Sequence, residues 1–218
     1  MPWTTQIDIY CERTDPSLWS EPLNAVTNIA FLLAAVLLWR AQSAASSRVD
    51  GRDRALPVLI GEIGVASLLF HTLATVWAAL ADTLTILLFA AYFLFLFLIR
   101  VAQLGGTTAF VSACVFAALS YLFPGTLPAG PASGSAGYLP YVIALLLMVA
   151  YLWRVQRAAA GAFLGATLLF LVSLALRTVD LAVCPRFALG THFLWHLLNA
   201  VVLYVLAREL SIRLRAPR

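Results

Sequence analysis

The chain has 218 residues, 62% of them hydrophobic and 11% charged, with a formal net charge of +4 and a mean hydropathy of +0.92. Soluble domains carry about 45–50% apolar and about 25% charged residues, so a soluble globular protein is excluded. A helix crossing about 30 Å of hydrocarbon takes about 20 residues, which leaves room for roughly six to eight crossings in one polytopic membrane domain.

Residues 1–22 form an acidic N-terminal segment in which Asp8, Glu12, Asp15 and Glu21 accompany a single arginine, Arg13. A cleavable signal peptide needs a basic start and an apolar middle, so this segment is expected to persist in the mature protein. Residues 23–210 carry seven apolar runs, at 23–39, 56–76, 83–101, 107–123, 139–153, 162–176 and 189–207. Each is predicted to be a transmembrane helix, because lipid offers backbone groups no water to bond. Between the fourth and fifth runs, residues 124–137 are rich in Gly, Pro and Ser without charge, as in an exposed connection. A short basic tail, 211–218, ends the chain.

All basic residues are arginines, and on this map they divide unequally. Arg13, Arg177 and Arg186 fall on the N-terminal side; the other eleven fall on the opposite side. By the positive-inside rule the C-terminus is cytoplasmic and the N-terminus outside. Missing or inventing one helix would swap every later loop and destroy the asymmetry. Arginines flanking helices also account for the net charge, so no nucleic-acid partner is implied.

Ionisable groups at membrane-helix positions are costly and are by default functional hypotheses. Ser67 and His71 lie one turn apart towards the outer end of the second helix. Asp82 opens the third helix after a short outer turn. His192 and His196 occupy the first turns of the seventh on one face, at i,i+4 spacing. The chain owns three histidines, and all fall at one depth. Three neutral imidazoles with one open position make a common catalytic zinc sphere, and a nearby carboxylate can take a proton from water. Each group also has a plain structural use: His71 as a bond between helices, Asp82 as a helix cap, Ser67 bonded to its own helix. Bis-histidine haem is disfavoured, since it leaves the third histidine idle. Ser133-Gly134-Ser135 lacks a histidine on an adjoining helix, so a serine protease fails the nucleophile-plus-base requirement. Glu62, nine residues before His71, should face elsewhere, as an interhelical or cytoplasmic-side contact. Phe89, Tyr92, Phe93, Phe95 and Phe97 on the third helix could line an acyl-chain groove. Cys11 and Cys184 both fall outside, where a disulfide is allowed in an oxidising compartment; two free thiols are the alternative.

Three motif blocks resemble the alkaline ceramidase family, seven-helix membrane amide hydrolases within a superfamily that includes adiponectin-receptor and haemolysin-III-like proteins. The blocks are Tyr10-Cys11-Glu12 with Glu21-Pro22-Leu23-Asn24-Ala25-Val26-Thr27-Asn28; Ser67-Leu68-Leu69-Phe70-His71-Thr72-Leu73 with Asp82; and His192-Phe193-Leu194-Trp195-His196. The resemblance implies zinc on His71, His192 and His196, Asp82 orienting or deprotonating water, and Ser67 stabilising the oxyanion. It implies hydrolysis of a lipid amide such as ceramide to a fatty acid and a long-chain amine. It also implies a link between Cys11 and Cys184, and calcium held before the first helix by Glu12, Glu21 and the Tyr10 carbonyl. Here the two glutamates are closer together than in that pattern, and Ile9 stands where an acid should precede Tyr10, leaving Asp8 or Asp15 as substitutes. The Ala-rich, arginine-only composition fits a bacterial inner-membrane protein with its site near the periplasmic side. The alternative on the same scaffold is a non-catalytic heptahelical lipid receptor with a structural zinc.

Overall fold

A computed structural model of the chain describes residues 2–45, 49–126 and 133–214. Beyond a non-helical N-terminal segment, the described residues are predominantly helical, with no strand, and seven segments are long and apolar enough to cross a membrane. The first is built from α1 (Pro22–Thr27) and α2 (Ile29–Ala44). The others are α3 (Ala55–Leu73), α4 (Val76–Arg100), α5 (Gly106–Leu122), then the one-turn α6 (Ser133–Ala136) leading into α7 (Leu139–Val155), α8 (Arg157–Val183) and α9 (His192–Arg208). The expected all-α, seven-span architecture is therefore present. The last span runs on into a π-helical turn, Glu209–Arg213, and the end of the basic tail lies outside the described residues.

Successive spans pack side by side, and α9 closes the ring against α1 and α2. One core unites them, from Phe31 and Leu38 on α2 through Ile60, Phe93 and Phe163 to Leu206 on α9. Large apolar side chains such as Leu33, Phe110 and Leu147 cover the outer wall, as expected of helices in hydrocarbon. Gly64 lets α3 approach the α1–α2 junction, where a Cβ would stand 3.0 Å from the Phe31 Cβ. Glu62 is exposed on the outer wall of α3, which does not fit the interhelical contact, one of the two uses expected of it.

Two helix starts depart from the hydropathy reading. α4 begins at Val76, so Asp82 lies well inside the helix and does not open it. Ala74 takes a left-handed conformation at φ 46°, which ends α3, and Thr75 pairs with Gln6 of the N-terminal segment. α8 extends well past both ends of its apolar run, carrying Arg177 and Asp180 into the bundle. Of the 124–137 connection, Phe123–Thr126 forms a 3-10 turn and Ser133–Ala136 a helical turn; 127–132 lie outside the described residues.

At one end of the bundle the N-terminal segment lies across the α3–α4 turn, with Ile7 N–H donating to the Ala74 carbonyl and Val76 N–H to that of Thr5. At the other end Asp53, fully buried, pairs with Arg100, and Gln42 Nε2 donates to the Asp53 carbonyl at 3.0 Å.

Candidate metal centre

His71 on α3 and His192 and His196 on α9 converge beneath the N-terminal segment, each essentially without exposed surface. One ring nitrogen from each lies within 4.8 Å of the others, a grouping able to hold a metal ion. Their remaining contacts decide which nitrogens face inward. His71 Nδ1 lies 2.6 Å from Glu21 Oε2, and Glu21 Oε1 pairs with Arg13 Nε at 2.6 Å. Burial by itself pushes the Glu21 carboxyl up, but the bonds from His71, Arg13 and Asn24 outweigh it and hold the group below the usual carboxylate range. Glu21 is therefore ionised and His71 Nδ1 is the donor; in the neutral ring the lone pair is then on Nε2.

His196 is set the same way from the first span. The Thr27 hydroxyl gives its single proton to the backbone, with the Leu23 carbonyl at 2.8 Å. His196 Nδ1 lies 2.9 Å from the same oxygen, which accepts from the ring when its own proton is given to the backbone. In that arrangement the ring proton sits on Nδ1; His196 Nε2 is buried with no hydrogen-bond partner. His192 Nδ1 is likewise buried without a partner. Outer oxygens that fix the tautomer of a histidine are the usual support of metal ligands, and unpaired buried nitrogens are costly without a ligand. The site fits a cation that prefers imidazole.

The start of α9 is held from a distance. Asp180 on α8 accepts the His192 N–H at 2.9 Å, the Thr191 N–H at 2.6 Å and the Cys11 N–H at 2.8 Å. It thereby satisfies amides that a helix start leaves orphaned. Cys11 is also joined to Cys184 by a disulfide. Gly190, at φ +63°, brings the chain past this carboxylate, where any Cβ would collide with Asp180 and stand 2.7 Å from the Cys11 Cβ. The Tyr10 ring then stacks on His192, with centroids 3.6 Å apart.

Ser67 is buried on α3 one turn before His71 and is the hydrogen-bonding neighbour of the Asp82 carboxylate, whose Coulombic partners are His71 and Arg177. Asp82 Oδ1 is buried with no hydrogen-bond partner. A hydroxyl and a carboxylate with a free oxygen thus stand beside His71, one of the three clustered histidines.

The acidic N-terminal residues do not assemble an oxygen cage. Glu12 spends both oxygens on the Leu23 and Asn24 N–H groups, each at 2.8 Å, capping α1, and burial pushes its carboxyl up. Glu21 is held by Arg13, His71 and Asn24. Asp8 and Asp15 are exposed, and hydrogen bonding to the Ser17 hydroxyl and then to the Ser17 N–H lowers the Asp15 pKa. Calcium asks for six to eight oxygens; these residues do not fit it, because the cation beside Glu21 is the Arg13 guanidinium.

An apolar cleft of about 90 Å³ starts beside Trp195 and Asn199 and runs between α4, α7 and α9. Phe89 and Phe93 line it. Phe97 belongs to a larger groove of about 870 Å³ between α4, α5 and α7, which shares Leu94, Phe116, Ala144 and Met148 with the cleft. Tyr92 instead donates its hydroxyl to the Arg52 carbonyl at 2.8 Å, and Phe95 packs against the core. The metal-orienting roles of Glu21 and Thr27, and the part played by Arg13 and Asp180, have no local sequence signal beyond their being polar groups next to apolar runs. No family model matches the chain, and no curated protein matches it.

Proposed function

We propose that the protein is a zinc-dependent intramembrane hydrolase that cleaves the amide bond of ceramide or a related N-acyl lipid. The observation that carries this reading is the Ser67–Asp82 pair beside the buried histidines, since a purely structural metal needs neither group. His71, His192 and His196 would hold the ion. Zinc so held supplies Lewis acidity to a carbonyl and makes water nucleophilic at neutral pH.

The chain's own groups supply the rest. Asp82, with Oδ1 unpaired, takes the proton of the attacking water and returns it to the departing amine. The Ser67 hydroxyl donates to the carbonyl oxygen as charge develops there. One C–O bond forms and the C–N bond breaks, leaving a carboxylic acid and a long-chain amine. The acyl chain lies in the apolar cleft and continues into the α4–α5–α7 groove. The disulfide at the histidine end and the arginine excess at the other support an external, oxidising face for the site, the periplasmic side of a bacterial inner membrane.

The test is metal content and turnover of a fluorescent ceramide in detergent-purified protein. About one zinc per chain is expected, lost together with activity in His196→Ala. Asp82→Asn should keep the zinc and lose about 10²-fold or more in turnover. Protein without zinc would sink the mechanism. Zinc without turnover on any N-acyl lipid would return the site to a structural role in a receptor.

A further inference from the structure

Arg177, on α8, carries a charge that the mechanism above does not use. Its guanidinium lies 5.8 Å from the Tyr10 ring centroid and 5.7 Å from those of Tyr138 and Trp195. It donates to the Tyr10 hydroxyl at 3.2 Å and to Ser135 Oγ at 3.4 Å. Among the described residues, which include all ten acids of the chain, none forms an ion pair with it; Asp82 reaches it only at longer range. A cation within a membrane domain is expensive. Aromatic faces offset part of that cost, but two neutral hydrogen bonds leave donors of the fork unspent.

The position matters as much as the charge. Tyr10, under Arg177, stacks on His192. Tyr138 and Trp195, the other two faces of the cage, line the apolar cleft. Arg177 therefore lies against two walls of the cleft and against the ring that stacks on His192.

We infer that Arg177 is a recognition site for an oxyanion on a long-chain amphiphile, and that the protein prefers N-acyl lipids with an acidic head group over neutral ones. The substrate preference rests on the hydrolase reading; the binding site does not. A guanidinium pairs with carboxylate, sulfonate or phosphate through parallel N–H bonds, and an aromatic wall excludes the water that would screen them.

The experiment is binding of N-dodecanoylglycine and N-dodecanoylethanolamine, equal in chain and amide but differing in head-group charge, to the zinc-loaded full chain, read by tryptophan fluorescence. The acidic ligand should bind about ten- to a hundredfold more tightly, the range of a charge-assisted hydrogen bond. In Arg177→Gln the ratio should collapse towards one, and Arg177→Lys should restore part of it. A ratio near one in the native protein, or a ratio unchanged in Arg177→Gln, overturns the proposal. The native comparison needs no variant, so poor folding of Arg177→Gln cannot hide the answer. Dodecanoate binding as tightly as N-dodecanoylglycine would assign the oxyanion to a fatty-acid product and overturn the head-group preference. Selective binding without hydrolysis of either ligand would remove the hydrolase reading and leave the oxyanion site standing. Hydrolysis without selectivity would do the reverse.

Discussion

Glu21 and Thr27 bear at the residue scale on what the histidines can do, because each places an oxygen against the Nδ1 of a histidine, 2.6 Å away at His71 and 2.9 Å at His196. Losing such an outer partner typically costs 10–100-fold in metal affinity. Glu21→Gln should fall in that range by competition with a chelating dye. Thr27→Val, which removes a neutral acceptor, should cost less. Equal zinc affinity in all three proteins would show that the outer oxygens do not tune the site. Glu21 also shows where reading along the chain runs out: it is 50 residues from His71, and the family resemblance implied calcium there. Packing instead delivered an internal cation, Arg13, whose NH2 also donates to the His71 carbonyl at 3.1 Å. No short-range pattern could announce that partnership.

Elements meet at this site because three long-range ties bring the N-terminal segment, α8 and α9 together: the Asp180 bonds, the disulfide and the close passage at Gly190. Gly190→Ala combines a strained positive φ with a clash against Asp180. It should reduce zinc content and melting temperature together, and a variant with native zinc and stability would contradict this account of the α9 start. Glu62 is the opposite case, a charge in the middle of the second span on an exposed wall. A carboxylate facing hydrocarbon costs about 2.5–3.5 kcal/mol on insertion scales. Glu62→Leu should therefore raise the melting temperature while leaving zinc bound. Destabilisation would reveal a polar partner outside the single chain. The placement of Asp82 belongs to this scale too. A carboxylate interrupting apolar residues looks like a helix start in a hydropathy reading, but the turn is set upstream by Ala74 and the Gln6–Thr75 pairing.

At the scale of the whole molecule, the histidine cluster joins the second span to the seventh while the N-terminal segment and disulfide close the same end. Metal bound only by the folded state stabilises it by mass action. Removing the ion with a membrane-permeant chelator should lower the melting temperature, and adding zinc back should restore it. Reduction of Cys11–Cys184 under native conditions should cost about 2–5 kcal/mol and loosen zinc binding, since the tie holds Tyr10 over His192. Unchanged zinc affinity after reduction would mean that Asp180 alone suffices to hold the start of α9.

The sequence by itself determined the membrane class, the seven spans and the presence of three histidines, a serine and an aspartate at one end. Those properties follow from local quantities: apolar run length against bilayer thickness, the 3.6-residue period and an up-and-down count of helices. Tertiary structure alone decided which nitrogens point inward, that Arg13 rather than an ion neutralises Glu21, that Asp180 caps α9, and that Arg177 enters an aromatic cage beside the cleft. Each of these joins residues far apart in the chain through contacts of a few ångströms. Hydrophobicity sets the depth of a residue in the membrane, but only helix packing sets which groups meet across the bundle.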